Sequence, residues 1–317
     1  MQKSLAELHN EFLDYAEFTR GVSPKTLRAY RASFALLMNR FPSLLPSMLV
    51  PDAMAEYFKW LQTRSRTIGR QTRQGVKKST IATYWRRLSK FFDWLKARRY
   101  IETNPLKSDL LEFPSVRYDD KKYLNRTDIE KILVAVQFNI AWKSDLVRSR
   151  NLAIISIAFN CGLRRGELLG MKLPDVDLVR NELTVRSETS KSRMQRIIPL
   201  NTRARRDLED YLEKRRKRRC TTECVWISEK SDTKLTEDGL KHVIKMIVRE
   251  SGIKFHIHQC RHTFAVNFLH NSGQNSFKLQ ALLGHRSIVS SAIYTRCLPT
   301  EIVRADVERL ARLDNTL

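Results

Sequence analysis

Apolar residues recur at helical spacing through most of this chain, and the pattern changes to strict alternation in only one region. The first helix is predicted to begin after Ser4, because Ser4 and Glu7 have the spacing of a capping box, and the second after Ser23. Alternation predicts three short strands, at residues 176–178, 183–186 and 196–200. The chain is therefore predicted to be mainly α with a small antiparallel β-sheet, an α+β fold.

Helix start and stop signals predict the remaining helices and the domain organisation. Asp52 is predicted to cap the third helix, and Gly162 to end a long helix in the left-handed conformation. The later helices are predicted at about residues 79–99, 127–136, 148–161, 202–218, 236–250, 258–271, 276–283, 287–292 and 300–313. The 317 residues exceed the ~250–300 at which single cores stop growing. We therefore predict an N-terminal helical domain at 1–108, a linker at 109–122 and a second domain at 123–317.

The chain is strongly basic. It has 58 Lys and Arg residues against 34 Asp and Glu, a formal net charge of +24, and 42% hydrophobic residues. That hydrophobic share indicates a folded protein rather than a disordered basic tail. The positive charge favours a nucleic acid over a membrane as partner, because each neutralised phosphate releases a counterion. The basic run at residues 215–219 is predicted to be an exposed helix end.

A second basic stretch, residues 63–79, has almost no apolar content and precedes the helix predicted at 79–99. The buried stripe of that helix is predicted to consist of Ile81, Tyr84, Leu88, Phe91 and Leu95. Charged runs are usually solvated loops, but continuity with a basic helix favours a surface that follows DNA phosphates. The DNA-binding candidates are Arg70, Arg73, Lys77, Lys78, Arg86, Arg87 and Lys90.

Several other classes of protein are disfavoured. The N-terminus has no continuous apolar stretch of the kind a signal peptide needs, and the longest apolar run, residues 152–159, is far below the ~18–20 residues that span a bilayer. The odd count of 5 cysteines suits a reducing compartment. We therefore expect a soluble, cytoplasmic, nucleoid-associated protein with no membrane partner. No P-loop pattern is present, and neither a cofactor nor a metal is expected.

The segment that ends at Tyr294 carries the strongest functional signal. His258 and Arg261 lie three apart at the start of a predicted helix. His285 follows the glycine that ends a later helix, and Tyr294 comes nine positions after it. Arginine binds phosphate through a bidentate fork, imidazole donates hydrogen bonds or moves protons, and a tyrosine hydroxyl can attack phosphorus. Singly, His285 fits a helix cap and Tyr294 a half-buried aromatic, but their joint order predicts a site that cleaves phosphodiesters.

Three upstream residues extend this set. Arg164 follows a glycine-ended turn at the start of a helix, where backbone N–H groups favour an anion, although an ordinary surface arginine fits that position equally well. Glu167 either orients Arg164 or only favours the helix N-terminus. Lys191 lies in the turn between two predicted strands, where it is either solvated or able to reach into a neighbouring groove.

These motifs resemble those of the tyrosine recombinase (phage integrase) family, including its Xer-type members. GLRRGELLG looks like the family's first arginine box, HQCRH like its H-x-x-R motif, LLGH like the segment of its second histidine, and IYT like the surroundings of its tyrosine. TLRAY, TYWRRLSKFFDWL and NPL are similar to its helical core-binding domain. Cys161 departs from the family's frequent threonine, and Lys191 lies in Ser-Lys-Ser rather than a glycine-flanked turn. The resemblance covers the whole chain and implies that a core-binding domain and a catalytic domain form a clamp around DNA.

The resemblance also implies a catalytic set, namely Arg164, Lys191, His258, Arg261, His285 and Tyr294, with Glu167 as a supporting acid. Tyr294 would form a 3'-phosphotyrosyl bond, and Lys191 would protonate the departing 5'-hydroxyl. The implied function is site-specific recombination through a Holliday junction, in integration, excision, transposition or resolution. The implied partners are double-stranded DNA with inverted core-binding sites and, in some systems, accessory proteins. A homotetramer would hold two duplexes by exchanging the C-terminal helix predicted at 300–313.

Three alternatives remain open at this point. A type IB topoisomerase would use the same chemistry on one strand, without a second duplex. A non-catalytic DNA-binding regulator would account for the charge, but it would leave the order of the arginines, histidines and tyrosine to chance. A metal site at His256, His258, Cys260 and His262 is disfavoured, because His258 belongs to the H-x-x-R motif.

Overall fold

The computed structural model of the protein describes residues 3–69, 71–114, 123–188, 190, 194–228, 231–273 and 275–284. The chain divides into two compact units, Met1–Tyr118 and Asp119–Leu317. Four predicted functional residues lie outside the described residues, namely Arg70, Lys191, His285 and Tyr294. The helices predicted at 287–292 and 300–313 lie outside them as well.

Four helices form the N-terminal unit. They are α1 (Leu5–Asp14, continued by a π-helical turn at Tyr15–Thr19), α2 (Pro24–Arg40), α3 (Pro51–Thr63) and α4 (Lys78–Ala97). The predicted capping box of α1 is confirmed, because the Glu7 carboxylate accepts a hydrogen bond from the Ser4 backbone N–H at 2.7 Å. The prediction that Asp52 caps α3 is wrong. Val50 is the cap and Pro51 the first helical residue, a position that suits proline, so Asp52 lies inside the first turn.

The core of this unit is rich in aromatic side chains. His9 stacks on Phe34 with ring centroids 3.9 Å apart, and burial lowers the pKa of His9 to about 4, so the imidazole is neutral. Helix α4 packs against α1 and α2. The predicted stripe of α4 is buried except at Tyr84, which is only half-buried, while Trp85 and Phe92 are buried beside the stripe. The buried face of α4 is therefore wider than the stripe that the sequence indicates.

The basic stretch at residues 63–79 contains a β-hairpin, where the sequence predicted a loop. Strand β1 (Ser65–Ile68) pairs antiparallel with β2 (Gln71–Gln74), in a register that sets Ser65 opposite Gln74. All of β2 is exposed, and its sequence, QTRQ, has no alternation of apolar and polar residues of the kind that reveals a half-buried strand. The hairpin ends at Gly75, whose φ is +59°, and a Cβ there would lie 2.0 Å from the Gln62 carbonyl oxygen.

The second unit contains seven helices among its described residues. They are α5 (Arg126–Val134, continued by a π-helical turn at Ala135–Asn139), α6 (Asp145–Cys161), α7 (Arg165–Leu169), α8 (Thr202–Lys217), α9 (Glu237–Ser251), α10 (Ile257–Asn271) and α11 (Ser276–Leu283). The three predicted strands are confirmed as β3 (Val176–Asp177), β4 (Glu182–Val185) and β5 (Arg196–Pro199). They form an antiparallel sheet in the order β3-β4-β5. The fold is therefore mainly helical with small antiparallel sheets, as predicted.

Helix α6 runs through the core of this unit and packs against α8 and α10. Gly162 ends it in the left-handed conformation with a φ of +59°, as predicted. The basic run at 215–219 is only partly an exposed helix end, because Arg215 is buried and donates a hydrogen bond to the Thr222 carbonyl. None of the helices among the described residues is long and apolar enough to cross a membrane.

Candidate active site

A tight connection between α6 and α7 positions Arg164. Gly162 has a left-handed φ, and a Cβ on it would lie 2.4 Å from the Phe264 ring of α10, so both the backbone and the packing require glycine. Two residues later Arg164 is the N-cap of α7, with a side chain that is 25% exposed. The guanidinium of Arg164 is therefore close to solvent and tied to the end of a buried helix.

The H-x-x-R motif lies in the first turns of α10. The His256 imidazole caps this helix by accepting a hydrogen bond from the Gln259 backbone N–H at 3.0 Å. Arg261 is only 1% exposed and donates to the carbonyl oxygens of Gly162 at 2.7 Å and Leu283 at 2.8 Å. His258 is exposed, and its ring lies 4.4 Å from that of His262 in an edge-to-face arrangement. Arg261 thus links α10 to the ends of α6 and α11.

Glu167 is the carboxylate around which the site is built. Its side chain is 1% exposed and accepts hydrogen bonds from the Arg164 guanidinium at 2.8 Å and the Arg164 backbone N–H at 2.8 Å. The Arg261 guanidinium lies 3.8 Å away. Burial acts to raise the pKa of Glu167, but the hydrogen bonds and charges of Arg196 and Arg164 outweigh burial and hold this pKa at about 2. Glu167 is therefore ionised, and it both contacts the Arg164 guanidinium and caps the N-terminus of α7.

Comparisons with known proteins identify the family of this chain. Residues 122–301 match the phage integrase family. The chain belongs to that family. The tyrosine recombinase XerC of Thermodesulfovibrio yellowstonii is 26% identical over 291 residues, which cover 90% of this chain and 89% of XerC. The tyrosine recombinase XerD of Listeria monocytogenes serotype 4b is 28% identical over 298 residues, covering 91% of this chain and 93% of XerD.

Solved structures have the same fold as this integrase-family chain. The Tn1549 transposon integrase, in complex with transposon right end DNA, is 19% identical with a TM-score of 0.75, covering 98% of this chain and 100% of that one. The XerH recombinase, in a post-cleavage complex with a palindromic difH substrate, is 20% identical with a TM-score of 0.72. The match covers 94% of this chain and 82% of the XerH chain. The predicted family and fold class are thus confirmed.

Arg196 belongs to the site, and the sequence analysis missed it. It begins β5, and its guanidinium donates to both carboxylate oxygens of Glu167, at 2.8 Å and 3.2 Å. A signal for it was present, because Arg196 and Ile198 are two apart in a strand and Ile198 is buried. An arginine on the buried side of a strand requires an acidic partner nearby.

The structure brings Arg164, Glu167 and Arg261 together, and it disfavours Tyr211 of the same unit as an alternative nucleophile. Tyr211 is fully buried in α8, where its hydroxyl donates to the Val225 carbonyl at 2.8 Å and burial raises its pKa to about 12.

The four residues of the alternative metal site do not converge. His256 serves as a helix cap, while Cys260 is buried and its sulfur contacts the His256 carbonyl at 3.6 Å. Across the part of the chain that the structure describes, no group of three or more His, Cys, Asp and Glu side chains is arranged to hold a metal ion.

A cationic surface lies on the N-terminal unit. Its exposed members are Arg73, Lys77, Lys78, Arg86 and Lys90. Arg87 is half-buried and donates to the Ser33 hydroxyl at 3.4 Å. Between Glu56 and Asp93 the sequence has ten lysines and arginines and no acidic residue. The positive potential of the cationic surface is therefore not neutralised by acidic residues of the same segment.

Proposed function

We propose that this chain is a site-specific DNA recombinase that cleaves and rejoins strands through a 3'-phosphotyrosyl intermediate and a Holliday junction. The observation that carries the proposal is the convergence of Arg164, Arg261 and Glu167 in a chain of the phage integrase family. Two guanidiniums within reach of one carboxylate form a preorganised group that can neutralise the charge of a phosphate in its transition state. A purely DNA-binding regulator has no use for such a cluster.

Each residue has a definite part in the proposed reaction. The Tyr294 hydroxyl attacks the scissile phosphorus, and one histidine, His258 or His285, accepts the phenolic proton, whose ordinary pKa of ~10 otherwise opposes attack. Arg164 and Arg261 neutralise the non-bridging oxygens of the five-coordinate phosphorus. Lys191 donates a proton to the departing 5'-hydroxyl. The phosphotyrosyl bond retains the energy of the broken phosphodiester, so rejoining to another 5'-hydroxyl needs no nucleotide cofactor.

The partners proposed are double-stranded DNA with inverted core-binding sites and three further copies of this chain. The solved XerH complex with a palindromic substrate supports inverted sites, because two-fold related subunits bind inverted half-sites. The tetramer would hold two duplexes through exchange of the helix predicted at 300–313. The cationic surface would follow phosphates, and the β1–β2 hairpin, which carries Arg73, has the form of a two-stranded ribbon, which fits a DNA groove.

Formation of a covalent protein–DNA adduct tests the proposed function. Duplexes that bind the protein are selected from a random pool, resynthesised with a nick near the centre of the recovered site, and incubated with the protein. Cleavage beside the nick releases a short fragment, which traps the phosphotyrosyl bond, so we expect an adduct that survives SDS. Tight binding without any adduct would indicate a regulator. Relaxation of supercoiled DNA without strand exchange between two duplexes would indicate a type IB topoisomerase.

The cationic surface carries a prediction about salt dependence. Changing Arg70, Arg73 and Lys77 to Gln should weaken binding to all sequences alike and reduce the slope of log K against log salt by up to about 0.9 per lost phosphate contact. The measurement is a binding titration across a range of salt concentrations. The control variant changes Arg126, Arg205 and Lys217, which are paired with Glu130, Glu209 and Glu213. An unchanged slope in the first variant would mean that residues 63–79 are only a solvated hairpin.

Lys191 carries a prediction about proton donation. Lys191→Ala should severely slow cleavage of ordinary DNA, because an alkoxide is a poor leaving group without a proton. A substrate with sulfur in place of the bridging 5'-oxygen releases a thiolate, which needs no proton. Lys191→Ala should therefore cleave the sulfur-containing substrate at most of the wild-type rate. Arg164→Ala, which lacks an arginine that neutralises the phosphate charge, should cleave both substrates slowly. Equal defects of Lys191→Ala on the two substrates would assign the lysine to DNA positioning instead.

A further inference from the structure

Three arginines hold the C-terminal end of α11. The carbonyl oxygens of Leu282, Leu283 and Gly284 each accept a hydrogen bond from a different arginine side chain. The donors are Arg196 Nε at 2.7 Å, Arg261 Nη2 at 2.8 Å and Arg164 Nη2 at 3.4 Å, in that order. The last carbonyls of a helix lack partners within the helix and carry the negative end of its dipole, so guanidiniums stabilise them well.

The same three arginines surround Glu167, and the guanidinium of Arg196 is the one that donates to both carboxylate oxygens. Its Nη atoms lie 2.8 Å and 3.2 Å from the two carboxylate oxygens, while its Nε reaches α11. Each of its three guanidinium nitrogens already donates to a protein acceptor. Arg196 therefore acts as a bridge between β5, α7 and α11.

Gly284 packs closely against the side chain of Arg196. Gly284 has a φ of +62°, and a Cβ there would lie 3.0–3.3 Å from atoms of the Arg196 side chain. The chain therefore leaves α11 in direct packing contact with this arginine. Removing Arg196 would take away one of the three contacts at the end of α11 and would leave Glu167 with Arg164 and Arg261 as partners. We expect both guanidiniums to turn toward the carboxylate and away from the position of a phosphate.

We propose that Arg196 is a positioning residue, which sets the orientation of Arg164 and Arg261 by holding Glu167 and the end of α11 at fixed distances. This inference rests on the proposed recombinase function. The planar guanidinium fork is needed, because it offers two donors to a carboxylate and a third to a carbonyl at once. A lysine is a single point charge and cannot hold both groups in this geometry.

The chain offers a matched control in Arg186, which follows β4. Its Nε lies 3.1 Å from Oδ1 of Asp175, a buried carboxylate, and its Nη2 donates to the Gly170 carbonyl at 3.0 Å. Arg186→Gln therefore removes the same kinds of contact from the same small sheet, without touching Glu167. If Arg196 only stabilises the fold, Arg186→Gln and Arg196→Gln should lose thermal stability and adduct-forming activity to a similar extent.

The test compares Arg196→Gln, Arg196→Lys and Arg186→Gln with the wild type, below the unfolding midpoint of every variant. Three quantities are measured, namely the thermal midpoint, the Kd for the selected duplex, and the single-turnover rate of adduct formation. We expect similar thermal losses in the two Gln variants, unchanged Kd in all, and a rate about 10- to 100-fold lower only in the Arg196 variants. Arg196→Lys should recover little of this rate, because it keeps the charge and loses the fork.

Several results would overturn the inference. Equal rates of adduct formation for Arg196→Gln and Arg186→Gln would contradict the inference and leave the proposed function intact. Weaker DNA binding by Arg196→Gln at an unchanged rate of adduct formation would do the same. Full recovery by Arg196→Lys would show that charge alone suffices. Absence of any adduct with the wild-type protein would instead remove the proposed function, and the inference with it.

A DNA substrate with an uncharged scissile phosphate provides an independent test of the positioning role of Arg196. Replacing a non-bridging oxygen of the scissile phosphate by methyl removes its negative charge, so the alignment of Arg164 and Arg261 matters less. The rate defect of Arg196→Gln should therefore shrink on the methylphosphonate substrate. A defect of the same size on both substrates would contradict a role exercised through the two arginines.

Discussion

Tyr294→Phe should form no SDS-resistant adduct with DNA while binding its selected site as tightly as the wild type. Phenylalanine keeps the ring and removes the hydroxyl that attacks phosphorus, so the covalent step has no nucleophile. Loss of a nucleophile typically lowers the rate by several orders of magnitude, on the order of 10⁴-fold or more, which places the adduct below detection. The measurements are an SDS gel with end-labelled nicked duplex and a mobility shift for binding.

Tyr211→Phe is the control for that experiment. Tyr211 is fully buried, and its hydroxyl donates to the Val225 carbonyl, so its loss should cost about 1 kcal/mol of stability and leave adduct formation intact. Adduct formation by Tyr294→Phe at the wild-type rate would show that the nine-residue spacing from His285 does not identify the nucleophile.

Glu167→Gln should produce the largest loss of stability among the site variants. The substitution keeps the shape of the side chain and leaves Arg164, Arg196 and Arg261 without the carboxylate that separates their charges. Removing one partner of a buried ion pair costs about 3–5 kcal/mol, which corresponds to a fall of roughly 10 °C in the unfolding midpoint for a domain of this size. The measurement is thermal and denaturant unfolding at pH 7.

The pH dependence of that loss identifies its cause. Burial tends to raise the pKa of Glu167, and Arg196 and Arg164 lower it to about 2, from an ordinary value of 4.5. A carboxylate with a lowered pKa contributes stability that is complete above about pH 4.5 and disappears as the pH falls through 2. The difference in the free energy of unfolding between the wild type and Glu167→Gln should therefore become smaller below pH 4.5. A difference that does not depend on pH would show that the loss of stability comes from packing.

Glu213→Gln provides the matched control for Glu167→Gln. Glu213 pairs with Lys217 on the exposed face of α8, where solvent screens the interaction, so this variant should unfold almost as the wild type does. A large loss in both variants would indicate that the cost of removing a carboxylate is unrelated to burial.

The sequence alone determined the features of this protein that depend on neighbouring residues. The capping box of Ser4 and Glu7, the left-handed stop at Gly162 and the three alternating strands each have a signal contained within a few positions, because caps and periodicity act through local hydrogen bonds and side-chain direction. Arg164, His258 and Arg261 could be recognised as candidate site residues for a similar reason, since each residue lies beside a local helix signal.

Only the tertiary structure decided which of the arginines meet. Arg196 is 29 residues from Glu167 and 86 from Leu282, and no local pattern states that β5, α7 and the end of α11 converge. The β1–β2 hairpin was missed because strand pairing satisfies its backbone while the whole of β2 remains exposed, which leaves no apolar alternation in that strand. A buried charge finds its partner through folding of the whole unit, since desolvation makes an unpaired guanidinium costly wherever it lies in the chain.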